Sequence, residues 1–448
     1  MTANKIPNNW LLTHLGTVAN VVTGNTPSKS HEEYYNGDIP WVKPGDINKS
    51  SIIYEAAESL STIGGKYARI IPKGSVMVTC IGNLGNVAVA GRDMATNQQI
   101  NSLVVNHDSL NSKYAYYWCL TLKPWLVENS TSTTISMVNK SNFEKAPILI
   151  PPLTEQQRIV AKLDALFGHL EALRTRLDRI PKLLKNFRQQ VLTQAVTGKL
   201  TEEWRQTALE KGDGPNESNA NPFVIPGTWR FKELSKLSNS LKYGSSSKSQ
   251  NDGKVPVLRM GNLQNGEIDW ADLKFSVDED EIEKYLLKEG DVLFNRTNSP
   301  ELVGKTSIFR GEQKALYAGY LIKIETTKEL ESEYLNYVLN SHYAKKWCWE
   351  VKTDGVSQSN INAKKLGAFL IPQPSPKEQA QIVKKVKELL SIADRIESQY
   401  QCLKAKIDTL PQAVLTKAFK GELVPQDEND EPAGELLKRI KKMKGVRV

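Results

Sequence analysis

QQVLTQAVTGKL (residues 189–200) returns 223 residues later as QAVLTKAFKGEL (412–423), and EQQRIVAKLDALF (155–167) returns at the same offset as EQAQIVKKVKELL (378–390). Self-similarity at half the chain length means two structurally equivalent units with a pseudo-two-fold relation. Working outward, IPNNWLLTHL (6–15) parallels IPGTWRFKEL (225–234), and DIPWVKPGDI (38–47) parallels KVPVLRMGNL (254–263). PKGSVMV (72–78) parallels KEGDVLF (288–294), each a Gly turn feeding a β-type apolar run. ISMVN (135–139) aligns with VSQSN (356–360), and the short runs ILIPP (148–152) and FLIPQ (369–373) follow. A frame that repeats while its intervening sequence varies suits a protein that grips two different things with one architecture.

Each unit reads as a mixed α/β globule with short helices near 113–120 and 333–339, followed by a long helix. In the first long helix, apolar residues fall at Ile159, Leu163, Leu166, Leu170, Leu173, Leu177, Ile180, Leu184, Phe187 and Val191. The four-three alternation is that of a coiled-coil seam, and the ten positions 223 residues on are all apolar or aromatic. The second helix has Ser375 as N-cap, Pro376 at its first position and Glu378 placed to close a capping box. Pro181 and Pro411 should kink or interrupt the runs. Packing of each stripe on its own globule is the alternative to a helix–helix seam. The ten matched positions favour two helices paired antiparallel, a ruler about 63 Å long with a reader at each end.

The fold class is therefore α/β: two mixed globules joined and separated by two long helices in an antiparallel coiled coil. The expected divisions are a globule at 1–150, a long helix at 151–205, a polar linker at 206–222, a second globule at 223–371, a second long helix at 372–425 and a basic tail at 426–448. Residues 426–431 are acidic and read as mobile, and the tail after them reads as a short basic helix, solvated or docked on a partner.

At 448 residues more than one core is expected. A net charge of +9 and a pI near 9.0 favour a polyanionic partner only modestly. Cys80, Cys119, Cys348 and Cys402 form no CxxC pair, which points to a reducing cytosol, and neither a signal peptide nor a membrane span is legible. The five histidines show no metal-ligand spacing. There is no GxxxxGK[ST] phosphate loop, no GxGxxG after a strand and no Asn/Asp-Pro-Pro-aromatic string of the amino-methyltransferase type; NPF at Asn221 lacks the second proline.

Two variable globules, each followed by a long helix with an IPPLTEQQRIV-like start and a QxVLTxAxxGxL-like end, resemble the specificity subunit of type I restriction–modification systems. The resemblance covers almost the whole chain, including both IPxxW openings and the EPAGELLKRI tail from Glu431. It implies two target-recognition domains reading a split, asymmetric double-stranded DNA target. It further implies a non-catalytic subunit held with two modification subunits, which bring S-adenosylmethionine and methylate adenine N6, and with restriction subunits that use ATP and Mg. A cytoplasmic location follows.

Base readout needs bidentate side chains, Arg to guanine and Asn or Gln to adenine, while Lys and Ser mostly position the backbone. In the first globule the candidates are Lys43, Asn83, Asn86, Asn97, Gln98, Gln99, Asn139 and Lys140. In the second they are Arg259, Asn262, Arg296, Asn298, Ser357, Gln358 and Asn360. Asn and Ser also build turns, which is the plainer reading of each. Lys43 against Arg259, and Asn83 near the place of Arg296, would suit two half-sites with different bases. The competing functions are a fused methyltransferase–nuclease, which needs a cofactor pocket that the sequence does not show, and a coiled-coil adaptor between two protein-binding domains.

Overall fold

The computed structural model describes residues 6–47, 50–106, 110–131, 135–207, 215–216, 221–356 and 358–443. The chain divides into two compact units, 1–177 with 402–448, and 178–401. Each unit thus holds one globule and parts of both long helices.

The first unit is built on a five-stranded sheet in the order Ala19–Thr23, Ile100–Val105, Val76–Thr79, Val87–Ala90, Ile52–Ile53. Val76–Thr79 and Val87–Ala90 are buried at every residue, as apolar runs covered on both faces should be. A second sheet orders Ser59–Leu60, Tyr35–Val42, Met94–Thr96 and Ile70–Ile71, and the opening strand Leu11–His14 pairs with Pro147–Ile150. The second unit repeats the frame. Ser238–Tyr243, Leu321–Thr326, Val292–Asn295 and Thr306–Ile308 form its main sheet, and Arg230–Glu233 pairs with Leu370–Gln373. The Gly turns before the inner strands match: Gly74 and Gly290 have φ of 85° and 88°.

The helix Leu153–Leu177 starts on the first globule, and the helix Pro376–Ala418 starts on the second. Each start is fixed by one buried set of side chains. Trp10 Nε1 donates to Glu155 Oε2 at 3.0 Å, and Trp229 Nε1 donates to Glu378 Oε2 at 2.8 Å. Tyr114 and Tyr334, both fully buried, donate to the carbonyls of Leu149 and Pro372. The amides of Gln156 and Gln379 bridge the strand end to the N-terminal turn of the preceding short helix. Ser375 does cap its helix, accepting from Glu378 N at 3.3 Å. The Glu378 side chain closes no capping box, because the indole of Trp229, the Thr201 hydroxyl and Arg205 all bond its carboxylate.

Each unit also receives the far end of the other long helix. Gly198 and Gly421 share φ = 75°, and a Cβ on either would lie 2.5 or 2.4 Å from the ring of Pro226 or Pro7. Only glycine allows that approach. Within the first unit Arg174 pairs with Asp408 at 3.5 Å, while Glu155, earlier in the chain, bonds Gln426. Within the second, Arg188 pairs with Asp394 at 2.8 Å and Thr201 bonds Glu378. As one number rises its partner falls, so the helices run antiparallel.

Pro181 coincides with a break, since the helix stops at Leu177 and resumes as Ile180–Val196. Pro411 does not interrupt its helix, which is continuous from Pro376 to Ala418. Buried Ile407, Leu415 and Ala418 hold both sides of Pro411, so tertiary packing overrides the lost hydrogen bond. The seam also differs from expectation. Leu163, Leu170, Leu184 and Val191 are buried, as are Ala393, Tyr400 and Ile407, one residue per heptad. In the other row Ile159 and Ile382 are buried where the helices start, whereas Leu173, Leu403 and Leu410 in the first unit and Phe187 and Ile396 in the second are exposed. Two helices alone cannot cover both rows.

Residues 426–431 are tied down, contrary to the mobile reading: Gln426 bonds Glu155 at 2.6 Å, and Arg158 reaches both oxygens of Asp430 at 3.2 and 2.5 Å. The tail helix Ala433–Met443 is amphipathic and buries Ala433, Leu436 and Ile440 in the first unit's core. Lys438 and Arg439 remain exposed.

Candidate nucleic-acid interface

In the first unit the parallel pair Trp41–Ala95 and Val42–Thr96 delivers Lys43 and the segment 97–99 to one rim. Gly24 makes this possible, because a Cβ there would sit 2.2 Å from the Thr96 carbonyl. Asn97 is buried; its N–H bonds the Val42 carbonyl, and its side chain bonds Gln99 through both amide atoms. Gln98 is exposed and accepts from the Thr26 hydroxyl at 2.6 Å. The Lys43 ammonium lies 4.5 Å from the Trp41 ring centroid and pairs with Glu58.

Two further turns meet this rim. Cys80 N bonds the Gln99 carbonyl and Val138 N bonds the Cys80 carbonyl, both at 2.8 Å. The turn 80–86 and the segment 136–140 therefore converge. Asn83 is exposed there, and the Asn86 amide nitrogen is buried without a hydrogen-bond partner. Asn139 caps the helix Lys140–Glu144 by accepting from Asn142 N, and Lys140 pairs with Glu144 at 3.7 Å.

The second unit builds the same rim from different side chains. Val257 and Leu258 pair in parallel with Leu316 and Tyr317, so Arg259 stands where Lys43 stands. Gly244 repeats Gly24, a Cβ there lying 2.2 Å from the Tyr317 carbonyl. Arg259 Nη2 is held by the Asp272 carbonyl and carboxylate at 2.8 and 3.1 Å. Asn262 is buried, and its amide is occupied by the Asp269 and Ala271 carbonyls and by Arg259 N. It is a turn-builder, with no edge left to present to a base.

Arg296 N bonds the Tyr320 carbonyl and Ile361 N bonds the Arg296 carbonyl. These are the two bonds that Cys80 makes in the first unit. The counterpart of Arg296 is thus Cys80, not Asn83, and burial pushes the Cys80 thiol up to about 12. The bridge Ile81–Met137 likewise answers the pair Thr297–Asn360. The helix-capping counterpart of Asn139 is consequently Asn362, which accepts from Lys365 N, so the repeat runs two residues beyond the ISMVN–VSQSN alignment. Short polar strings carry too little periodicity to fix that register.

The strands Thr297–Asn298, Ser359–Asn360 and Thr353–Asp354 form one small sheet, which gathers Arg296, Asn298, Gln358 and Asn360. Asn360 Nδ2 donates to the Thr297 hydroxyl, Asn298 accepts from Ser299 N, and Gln358 is exposed. Ser357 lies outside the described residues. The Arg296 guanidinium rests 4.6 Å from the Tyr243 ring centroid, with Nη1 3.3 Å from the Gly319 carbonyl. Stacking on an aromatic face and a carbonyl contact restrain the planar fork, the side-chain type that contacts guanine bidentately. Tyr243 and Tyr320, both exposed, were not singled out from sequence; Tyr243-Gly244 at one strand's end and Gly319-Tyr320 at the start of its partner were the available signal.

Among the described residues no cluster of His, Cys, Asp and Glu could hold a metal ion, and no helix is long and apolar enough to cross a membrane.

Two equivalent rims of unlike chemistry on paired helices define a duplicated recognition protein. The description "Type I restriction modification DNA specificity domain" matches residues 7–182 and again 226–402, and the chain belongs to that family. The EcoKI specificity subunit of Escherichia coli K12 is 28% identical over 98% of this chain and 97% of its own length. The EcoBI specificity subunit of Escherichia coli is 27% identical over 97% and 92%. The crystal structure of the HsdS subunit from Thermoanaerobacter tengcongensis shares the fold with a TM-score of 0.64, at 19% identity, over 94% of this chain and 99% of that one. The family is one of specificity subunits, not of catalytic ones.

Proposed function

We propose that this chain gives a type I restriction–modification complex its DNA sequence specificity, each globule reading one half of a split, asymmetric target. The observation that carries the reading is the pair of equivalent rims with unlike side chains: Lys43 against Arg259, and Cys80 against Arg296. Arg259, Arg296, Gln358, Asn298 and Asn360 are the base-reading candidates of the second unit; Asn83, Gln98, Gln99, Asn86, Asn139, Lys43 and Lys140 are those of the first. The exposed leucine rows suit helices of two modification subunits, which would cover what the seam leaves open. S-adenosylmethionine, ATP and Mg belong on the partner subunits, and the assembly works in the cytoplasm.

The test is to map methylated adenines in cells carrying the assembled complex with Arg296→Ala. Loss of one bidentate contact costs about 1–3 kcal/mol at that base pair, about 5- to 150-fold in methylation. One half-site should relax at one position while the other half-site is unchanged. Relaxation of both half-sites, or of neither, defeats the two-reader reading.

A further inference from the structure

The second unit contains a cavity of about 720 Å³ walled in part by the loop 300–305 that follows the strand Thr297–Asn298, and several cations line it. Lys185 comes from the helix Ile180–Val196, Lys305 from the loop after Thr297–Asn298, and Lys345 from the helix His342–Val351. All three line the same space. Arg188 lines it too, but its charge is neutralised by Asp394 and Glu397 at 2.8 and 2.7 Å. Among the described residues none of the three lysines has a carboxylate partner; Lys305 only reaches the Gln264 amide oxygen at 3.1 Å.

Glu301 also lines the space but pairs with none of the three lysines among the described residues. Three ammonium groups, two of them exposed and that of Lys305 half-buried, thus face one carboxylate, and an anion would offset their mutual repulsion. Burial holds the Lys305 ammonium below the usual lysine range. Burial and then repulsion from Lys185 do the same to Lys345. An anion in the cavity would relieve both. Trp349, 57% exposed, lines the same space and offers an aromatic face. The volume lies within the range of small-ligand pockets and would accept a mononucleotide.

The first unit lacks this device, which argues against a by-product of the shared frame. Thr79 N bonds the Asn86 carbonyl exactly where Asn295 N bonds that of Lys305, so Asn86 replaces Lys305. Lys185 has Asp408 as its counterpart 223 residues on, and Asp408 pairs with Arg174.

We propose that the cavity bordered by Lys185, Lys305, Lys345 and Trp349 is a binding site for a phosphate-bearing ligand. Its phosphate sits among the three ammonium groups, and any base or sugar lies toward Trp349. The phosphate has two sources, a free nucleotide or the backbone of duplex DNA; only the second rests on the specificity reading.

The experiment titrates the full chain with pyrophosphate and with dAMP by calorimetry, and the assembled complex with target DNA across a salt series. Lys305→Gln/Lys345→Gln is compared with Lys254→Gln/Lys274→Gln, which removes the same charge from positions outside the cavity. Matched melting curves exclude misfolding. If the source is a free nucleotide, dAMP and pyrophosphate bind saturably, the cavity variant loses at least tenfold, the control variant loses none, and Trp349→Phe weakens dAMP more than pyrophosphate. If the source is DNA, the salt slope of the complex falls by about two in the cavity variant and not in the control. No saturable binding of either probe together with an unchanged slope overturns the proposal. Failure of the wild-type complex to methylate any defined sequence would instead defeat the specificity reading and leave the pyrophosphate result standing.

Discussion

Glu155 and Glu378 occupy one position of the repeat, open the two long helices, and accept from one tryptophan each, yet they live in different electrostatic surroundings. Glu378 is fully buried and its second oxygen meets Thr201 and, at 2.5 Å, Arg205. Glu155 is equally withdrawn from water, but the residue at its second oxygen is the neutral Gln426. Burial pushes the Glu155 carboxyl above its ordinary range, with the Trp10 and Gln426 hydrogen bonds opposing. The frame conserves the indole–carboxylate bond that aims the globule on its helix. The charge balance around it is left to whatever chain arrives from the far helix end.

That contrast predicts opposite outcomes for one substitution. Glu378→Gln removes the partner of Arg205, whose side chain is largely buried, and should destabilise the second unit by about 3–5 kcal/mol. Glu155→Gln removes a buried charge and keeps an acceptor for Trp10, so it should leave the first unit unchanged or slightly stabilised at neutral pH. Hydrogen exchange resolved by unit is the measurement, since two units need not unfold together. Equal losses in both units would erase the distinction.

The two prolines make a second, smaller comparison. Pro181 stands just after the start of a helix segment, where no hydrogen bond is lost, whereas Pro411 lies inside a continuous helix. Pro411→Ala should restore that bond and raise stability by up to about 3 kcal/mol. Pro181→Ala should change it by no more than about 0.5 kcal/mol. Thermal melts of each variant decide it, and a loss on Pro411→Ala would mean that the proline sets a bend the packing needs.

The repeat, the long helices, the IPxxW openings and the Gly turns were legible because each rests on periodicity or on a backbone demand that few residues satisfy. Helix pairing was legible as well, but coverage of the seam was not. Apolar spacing reports which residues seek burial and is silent about how many helices supply it, so Leu403 and Phe187 read the same as Tyr400 and Leu184. The rims were harder. Lys43 and Arg259 aligned correctly because apolar strands precede them, whereas Arg296 and Asn139 were matched to the wrong partners across short polar turns. Asn262 and Asn97 looked like readers because an amide that folds a turn and an amide that contacts a base have one composition. The tie from Asp430 to Arg158 spans 272 residues, and nothing local announces it.

That tie and Glu155 share the first unit and titrate in opposite senses. The hydrogen bonds from Arg158 hold the Asp430 carboxyl below its ordinary value, against the opposing effect of burial. Its stabilisation is complete above the unfolded aspartate pKa near 4 and is lost as pH falls through the lower folded value. Glu155, with its folded pKa raised, contributes most below the unfolded glutamate value near 4.3 and loses that contribution as pH rises through its folded one. Acidification should therefore first relieve the buried Glu155 charge, at some cost to the Trp10 bond, and only later release the tail. Protection of the amides in 433–443, measured relative to their intrinsic exchange at each pH, should fall on the acid side of the aspartate range, and Asp430→Asn should make it pH-independent there. Glu155→Gln should flatten the loss on the neutral side and leave the acid limb unchanged. A tail whose protection ignores pH in both variants and in the parent would show that Leu436 and Ile440 hold it without help from the clip.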